Sequence, residues 1–77
     1  MLASGQDEPG GIAIDATHVY WTNILGQTVV RCPIAGCSGS PEELIAYQWN
    51  PENIALAPNK VFWTDFGMGN VLALSLK

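Results

Sequence analysis

The strongest constraint on this chain is that it repeats itself. Val19-Tyr20-Trp21-Thr22-Asn23 returns as Val61-Phe62-Trp63-Thr64-Asp65 at an offset of 42 residues. The same offset aligns Leu2 with Leu44, Gln6 with Gln48, Pro9 with Pro51, Ile12-Ala13-Ile14 with Ile54-Ala55-Leu56, Val29-Val30 with Val71-Leu72, and Ile34 with Leu76. A repeat of this length is one supersecondary unit that cannot bury its apolar face alone and stacks on a neighbour of its own kind. Composition presses the same way: 48% of the 77 residues are apolar and only 13% are charged. A chain this short hides only about 60% of the surface its unfolded form exposes. The surplus of apolar surface predicts burial between chains.

Each unit reads as short strands punctuated by turns. Residues 11–15, 18–23, 28–34 and 42–48 form one set, and residues 53–57, 60–65 and 70–76 the next, the second strand of each being rich in β-branched and aromatic side chains. Asp15-Ala16-Thr17 predicts a tight turn held by the aspartate side chain, matched by Ala57-Pro58-Asn59. Ile24 to Gln27 and Phe66 to Gly69 predict hairpin loops. Residues 1–6 read as a further short strand, ended by the turn cluster Asp7-Glu8-Pro9-Gly10-Gly11. Val19-Tyr20-Trp21 and the run from Val71 to Leu76 place apolar residues on both faces, as in a sheet sandwiched between two others. Four short strands in a period of about 40–45 residues suggest the blades of a β-propeller. The expected fold class is therefore all-β, with two blades of antiparallel strands per chain and a ring closed by oligomerisation with strand exchange. Residues 1–8 are expected to complete a blade of a neighbouring subunit, residues 9–50 to form the first complete blade, and residues 51–77 to form a second blade of three strands.

Nearly the whole chain resembles the YWTD-type six-bladed propeller repeats of low-density-lipoprotein-receptor proteins and kindred repeats in bacterial secreted proteins. The resemblance is carried by Pro9-Gly10-Gly11-Ile12-Ala13-Ile14-Asp15, Tyr20-Trp21-Thr22-Asn23 and Thr28-Val29-Val30-Arg31, with Phe62-Trp63-Thr64-Asp65 in the second copy. It implies that the motif lies on the second strand of each blade and that Tyr20, Trp21, Phe62 and Trp63 serve packing between blades. This chain departs from the family in having Asn23 where the family has aspartate, and two repeats where the family has six. Two blades cannot close a ring, and open sheet edges invite pairing. A cyclic head-to-tail homo-trimer of six blades is expected, with a tetramer as the runner-up, and with residues 1–6 of one subunit pairing with the 70–76 strand of the next.

The net charge of -4, with Arg31, Lys60 and Lys77 scattered, offers no basic patch to neutralise phosphates, so nucleic acid is not an expected partner. No apolar run approaches the roughly 18–20 residues needed to span a bilayer, and no membrane partner is expected. The first residues lack a basic and an apolar region of signal-peptide type, which points to the cytoplasm for an intact chain and to secretion for a piece of a larger exported protein.

Cys32 and Cys37 flank the turn after the third strand, where a disulfide would contribute about 2–3 kcal/mol at most. Inert thiols are the alternative, since the second copy has Leu74 in place of Cys32. Two cysteines and the distant His18 do not make a tetrahedral zinc site, and no cofactor or metal is expected. His18 opens a strand where the other copy has Lys60 and reads as a solvated edge position; nothing in the spacing of Ser4, Asp15 and His18 singles out a triad. Asp7, Glu8 and Glu52 lie in loops that would repeat around a ring axis, a pattern able to hold calcium but read here as solvated loops.

Trp49 has no aromatic counterpart in the first copy and stands beside Asn50, with Glu52 and Asn53 close by. An aromatic ring among amides and a carboxylate is the chemistry that stacks on a sugar and bonds its hydroxyls, and Phe66 and Met68 in a loop on the same face complete the candidate set. The competing reading of Trp49 is packing at the junction with the next subunit. The expectation is a non-enzymatic, self-assembling propeller module with carbohydrate or small-molecule binding by loops on one face. The alternatives are a six-bladed hydrolase or lactonase, which needs metal ligands converging on the channel, and an inert fragment or reconstructed building block.

Overall fold

A computed structural model describes residues 5–67 and 69–76 of the chain. Among the described residues the structure is all-β, with strands β1 (Pro9–Ile14), β2 (His18–Asn23), β3 (Thr28–Pro33), β4 (Glu42–Ile45), β5 (Pro51–Ala57), β6 (Lys60–Asp65) and β7 (Asn70–Ser75). They form two antiparallel sheets, of order β1-β2-β3-β4 and β5-β6-β7, neither closed on itself. The strand bounds depart from expectation most at the end of the fourth strand, at the starts of β1 and β5, and over residues 1–6, and β1, β3 and β7 each end one residue early. The fourth strand stops at Ile45 rather than at residue 48, because the chain turns through left-handed backbone at Tyr47 and Asn50 on its way to β5. β1 and β5 each begin at their proline, ahead of a bulge between Pro9 and Ile12 and between Pro51 and Ile54. Of the strand expected over residues 1–6, residues 1–4 lie outside the described residues, and Gly5 and Gln6 belong to no strand.

Several bonds recur in the two sheets at the sequence offset. Gly11 N donates to Thr22 Oγ1 at 3.1 Å and Asn53 N to Thr64 Oγ1 at 3.2 Å. The indole Nε1 of Trp21 donates to Gln6 Oε1 at 3.3 Å and that of Trp63 to Gln48 Oε1 at 3.0 Å. Ile24 N donates to Glu8 O at 2.9 Å and Phe66 N to Asn50 O at 3.2 Å, while Glu8 and Asn50 share a left-handed φ of 56°. Glutamate and asparagine thus adopt one backbone state because the hairpin amide above them requires the carbonyl there.

The sheets pack through their inner strands, and glycine makes this possible. A Cβ on Gly11 would lie 2.5 Å from the carbonyl oxygen of Glu52 and 3.0 Å from Asn53 Cα, so β1 and β5 approach at backbone distance. Thr22 bridges the same seam, donating its hydroxyl to Glu52 O at 3.1 Å. Strand alternation then decides which side chains face the seam. Tyr20 and Val29 from the first sheet meet Val61 and Trp63 from the second, with Ile54, Leu56, Leu72 and Leu74 packed against them. Val19, Trp21, Val30 and Cys32 form a separate cluster on the opposite face of the first sheet. Of the four aromatics expected between blades, Tyr20 and Trp63 therefore lie in this seam, and Trp21 and Phe62 belong to the outward faces.

Candidate functional site

Three surfaces carry exposed side chains of binding type: the two outward sheet faces and the loop end. The outward face of the first sheet presents Ile12 and Ile14, 70% and 65% exposed. Their repeat partners Ile54 and Leu56 are partly buried against the first sheet. A cleft of about 390 Å³ runs over Ile12, Val19 and Trp21 beside the Gly10-Gly11 backbone. Cys32 and Cys37 are joined by a disulfide, and Cys37 lies against the cluster on this face.

The outward face of the second sheet is its counterpart. Val29 is fully buried in the seam, yet Val71, the same position one repeat later, is 76% exposed. Phe62 is half-buried where Tyr20 is buried, and Thr64 half-buried where Thr22 is buried. Phe62, Thr64 and Val71 line a shallow cleft of about 180 Å³. The chemistry also changes between repeats. In the first sheet the Tyr20 hydroxyl donates to Asp15 Oδ2 at 2.9 Å, with Arg31 on the same face as Tyr20. The corresponding residues of the second sheet are Phe62, Ala57 and Ala73. The Asp15, Tyr20 and Arg31 groups of the first sheet are thus replaced by apolar side chains, while Lys60, two positions before Phe62, keeps a charge at the end of this face.

Asp15 builds the turn expected of it, accepting from Thr17 N and His18 N at 2.8 Å each. These backbone hydrogen bonds hold its carboxyl down to about 2. Burial pushes the Tyr20 hydroxyl up, and the bond to Glu42, whose Oε1 lies 2.8 Å from Nε, pushes the Arg31 guanidinium up. The Thr17 hydroxyl and His18 Nδ1 lie 2.8 Å apart at the edge of the sheet.

At the loop end, Trp49 and Asn50 share a cleft of about 270 Å³ with Ile24, Leu25 and Gln27. Trp49 is 57% exposed, and its indole lies directly on Gly67, leaving no room there for a side chain. Phe66 stands exposed on the adjacent hairpin. Glu52 and Asn53 are elsewhere: both sit in the β5 bulge, with Glu52 O bonded to Thr22 and Asn53 lining the cleft over Phe62. Met68 lies outside the described residues. Among the described residues, no three of His, Cys, Asp and Glu gather closely enough to hold a metal ion. Asp7 contributes its backbone instead, its carbonyl accepting from Leu25 N at 3.2 Å.

Sequence reasoning missed Leu25 and Tyr47. Tyr47 is 92% exposed and holds a φ of 61°. Its repeat partner is Gly5, with a φ of 69°. The backbone therefore asks for glycine and receives an exposed aromatic, at a steric cost of about 1–2 kcal/mol. The offset alone, aligning Tyr47 with a glycine, is the signal that could have found it. No protein-family model matches this chain, and no curated protein matches it.

Proposed function

We propose that the chain is a non-enzymatic module of the β-propeller type that works by assembling with copies of itself into a closed ring. The observation that carries this reading is the opposite burial of repeat-related positions: Val29 is 0% exposed in the seam and Val71 is 76% exposed at the surface. Each outward face thus resembles one half of a seam that the chain already makes internally. A heterologous head-to-tail contact of this kind generates a ring when its rotation closes, and three two-blade copies give the six blades of the family that the sequence resembles. The docking of Gln6 on Trp21 supports the strand-exchange part of the reading. Gln48 docks on Trp63 in the same way as it leaves β4 of the preceding sheet, so by the offset the residues before Gln6 correspond to an outer strand of a blade in another copy. Light scattering tests the assembly. Three copies of an 8.3 kDa chain give about 25 kDa, a tetramer about 33 kDa, and a persistent 8.3 kDa species at high concentration refutes the reading.

The loop end supports a second element, recognition of a carbohydrate. Tyr47 and Trp49, on one loop, are 92% and 57% exposed, and an aromatic held at the expense of backbone strain is a mark of function rather than of folding. Asn50 and Gln27 stand beside the indole as the groups that would bond sugar hydroxyls. Titrating an oligosaccharide panel against the wild type and Trp49→Ala, with tryptophan fluorescence as readout, tests it. Binding lost in the variant is expected, and equal responses from both proteins refute the site.

A further inference from the structure

We infer that the junction between copies uses the same repeat positions as the internal seam, with the β6–β7 face of one copy as the tail and the β1–β3 face of the next as the head. This rests on the assembly proposed above and specifies which atoms make it. Shifting the seam by one repeat replaces Tyr20 and Val29 with Phe62 and Val71 on the tail, and replaces Ile54, Leu56 and Trp63 with Ile12, Ile14 and Trp21 on the head. Both sets are on the outward side of their sheets, where Val71, Ile12 and Ile14 are 76%, 70% and 65% exposed, Phe62 is half-buried, and Trp21 is already buried at 7% at the foot of the cleft that Ile12 lines.

The same shift supplies the polar bond. Thr22 accepts from Gly11 N and donates across the seam to Glu52 O, each at 3.1 Å. Thr64 accepts from Asn53 N at 3.2 Å, which leaves its proton to be donated outward. The repeat partner of Glu52 is Gly10, in the matching bulge of β1, so the Thr64 hydroxyl donates to the Gly10 carbonyl of the next copy. The backbones stand further apart there than in the internal seam, because the tail carries Glu52 and Asn53 where the internal seam has Gly10 and Gly11, and a Cβ at the Gly11 position meets the facing carbonyl at 2.5 Å in the internal geometry. The occupant is a second copy rather than an unrelated partner because the two faces are made of the repeat positions that already pack on each other inside the chain. The head carries two bare isoleucines beside a cleft, and the tail lacks the Asp15, Tyr20 and Arg31 groups found in the internal seam, with Lys60 at its margin.

Two substitutions at exposed positions test the pairing without touching either core: Val71→Glu on the tail and Ile12→Glu on the head. Each alone is expected to reduce the assembly to 8.3 kDa monomers with unchanged far-UV circular dichroism. Mixed together they pair, because the intact tail of the Ile12→Glu copy meets the intact head of the Val71→Glu copy. With one component 15N-labelled, the mixture shifts the Trp21 indole resonance of the Val71→Glu copy and the Thr64 and Phe62 amides of the Ile12→Glu copy, and self-mixtures shift neither. If the wild type assembles but the variants retain its mass, or if the mixture produces no shifts, the junction lies elsewhere and this inference falls while assembly stands. If only one of the two variants disrupts the mass, the contact is isologous and the head-to-tail scheme is wrong. A monomeric wild type removes the underlying reading instead.

Discussion

Thr22→Val and Thr64→Val are the same change at the same position of the repeat, and the structure assigns them different consequences. Thr22 is fully buried, and its hydroxyl serves two backbone groups at 3.1 Å, Gly11 N–H and Glu52 C=O, on opposite sides of the seam. Valine keeps the shape and removes the oxygen, so both groups lose their partner beside a side chain that is itself fully buried. At about 1–3 kcal/mol for each orphaned group, the variant loses about 2–6 kcal/mol, nearer the lower figure because both groups are only part-buried. Thr64 receives only Asn53 N–H, at an exposed site, and its valine variant should lose about 0.5–1 kcal/mol. Both are compared in the Ile12→Glu background, where no junction between copies covers Thr64. Urea unfolding at constant m gives the difference, and thermal unfolding should show Thr22→Val lowered by at least about 10 °C. Total stability for a chain of this size is about 4–12 kcal/mol, so Thr22→Ser, which retains the hydroxyl, is measured alongside in case the valine variant does not fold. Equal destabilisation by Thr22→Val and Thr64→Val would refute the seam as described.

Four further outcomes are expected. Gly11→Ala, which forces a methyl to within 2.5 Å of Glu52 O, should cost about 1–3 kcal/mol by denaturant titration, whereas Gly39→Ala has open space and loses only what its φ of 76° imposes. Reducing the Cys32–Cys37 disulfide, whose partners are separated by 5 positions, should cost about 2 kcal/mol; a thermal scan with and without dithiothreitol reads it. Asp15 has its carboxyl lowered to about 2 from an ordinary 3.8, so the stability it contributes is present above pH 3.8 and is lost as pH falls toward 2. Asp15→Asn should therefore flatten the acid limb of a stability-versus-pH profile in that window. Tyr47→Gly, which relieves a left-handed tyrosine, should raise stability by about 0.5–1 kcal/mol in urea unfolding while weakening any sugar binding at the loop end.

Much of the strand plan was legible in the residues because it rests on local chemistry. The β-branched and aromatic run His18 to Asn23, the Asx turn at Asp15 and the hairpin glycines all act within a few positions of themselves. The Cys32–Cys37 bridge was legible as a candidate for the same reason. The candidate site was legible only in part. Trp49 and Asn50 come together with the β2–β3 loop, but Glu52 and Asn53, close in sequence, are carried away by the β5 bulge. Tyr47 escaped because tyrosine announces a strand and conceals a left-handed bend.

By itself, the 42-residue periodicity determined that this chain is built from two like units of short strands, since spacing and side-chain type are properties of the covalent chain. Which face of each unit is spent inside the molecule was decided only in three dimensions. Two units have one seam between them: it takes Tyr20 and Val29 from the first and Val61 and Trp63 from the second. Val71, the repeat partner of Val29, and Ile12, the partner of the half-buried Ile54, stay in solvent for want of a third sheet within the described residues. Burial depends on what lies across the sheet, and residues with the same local pattern can meet opposite fates.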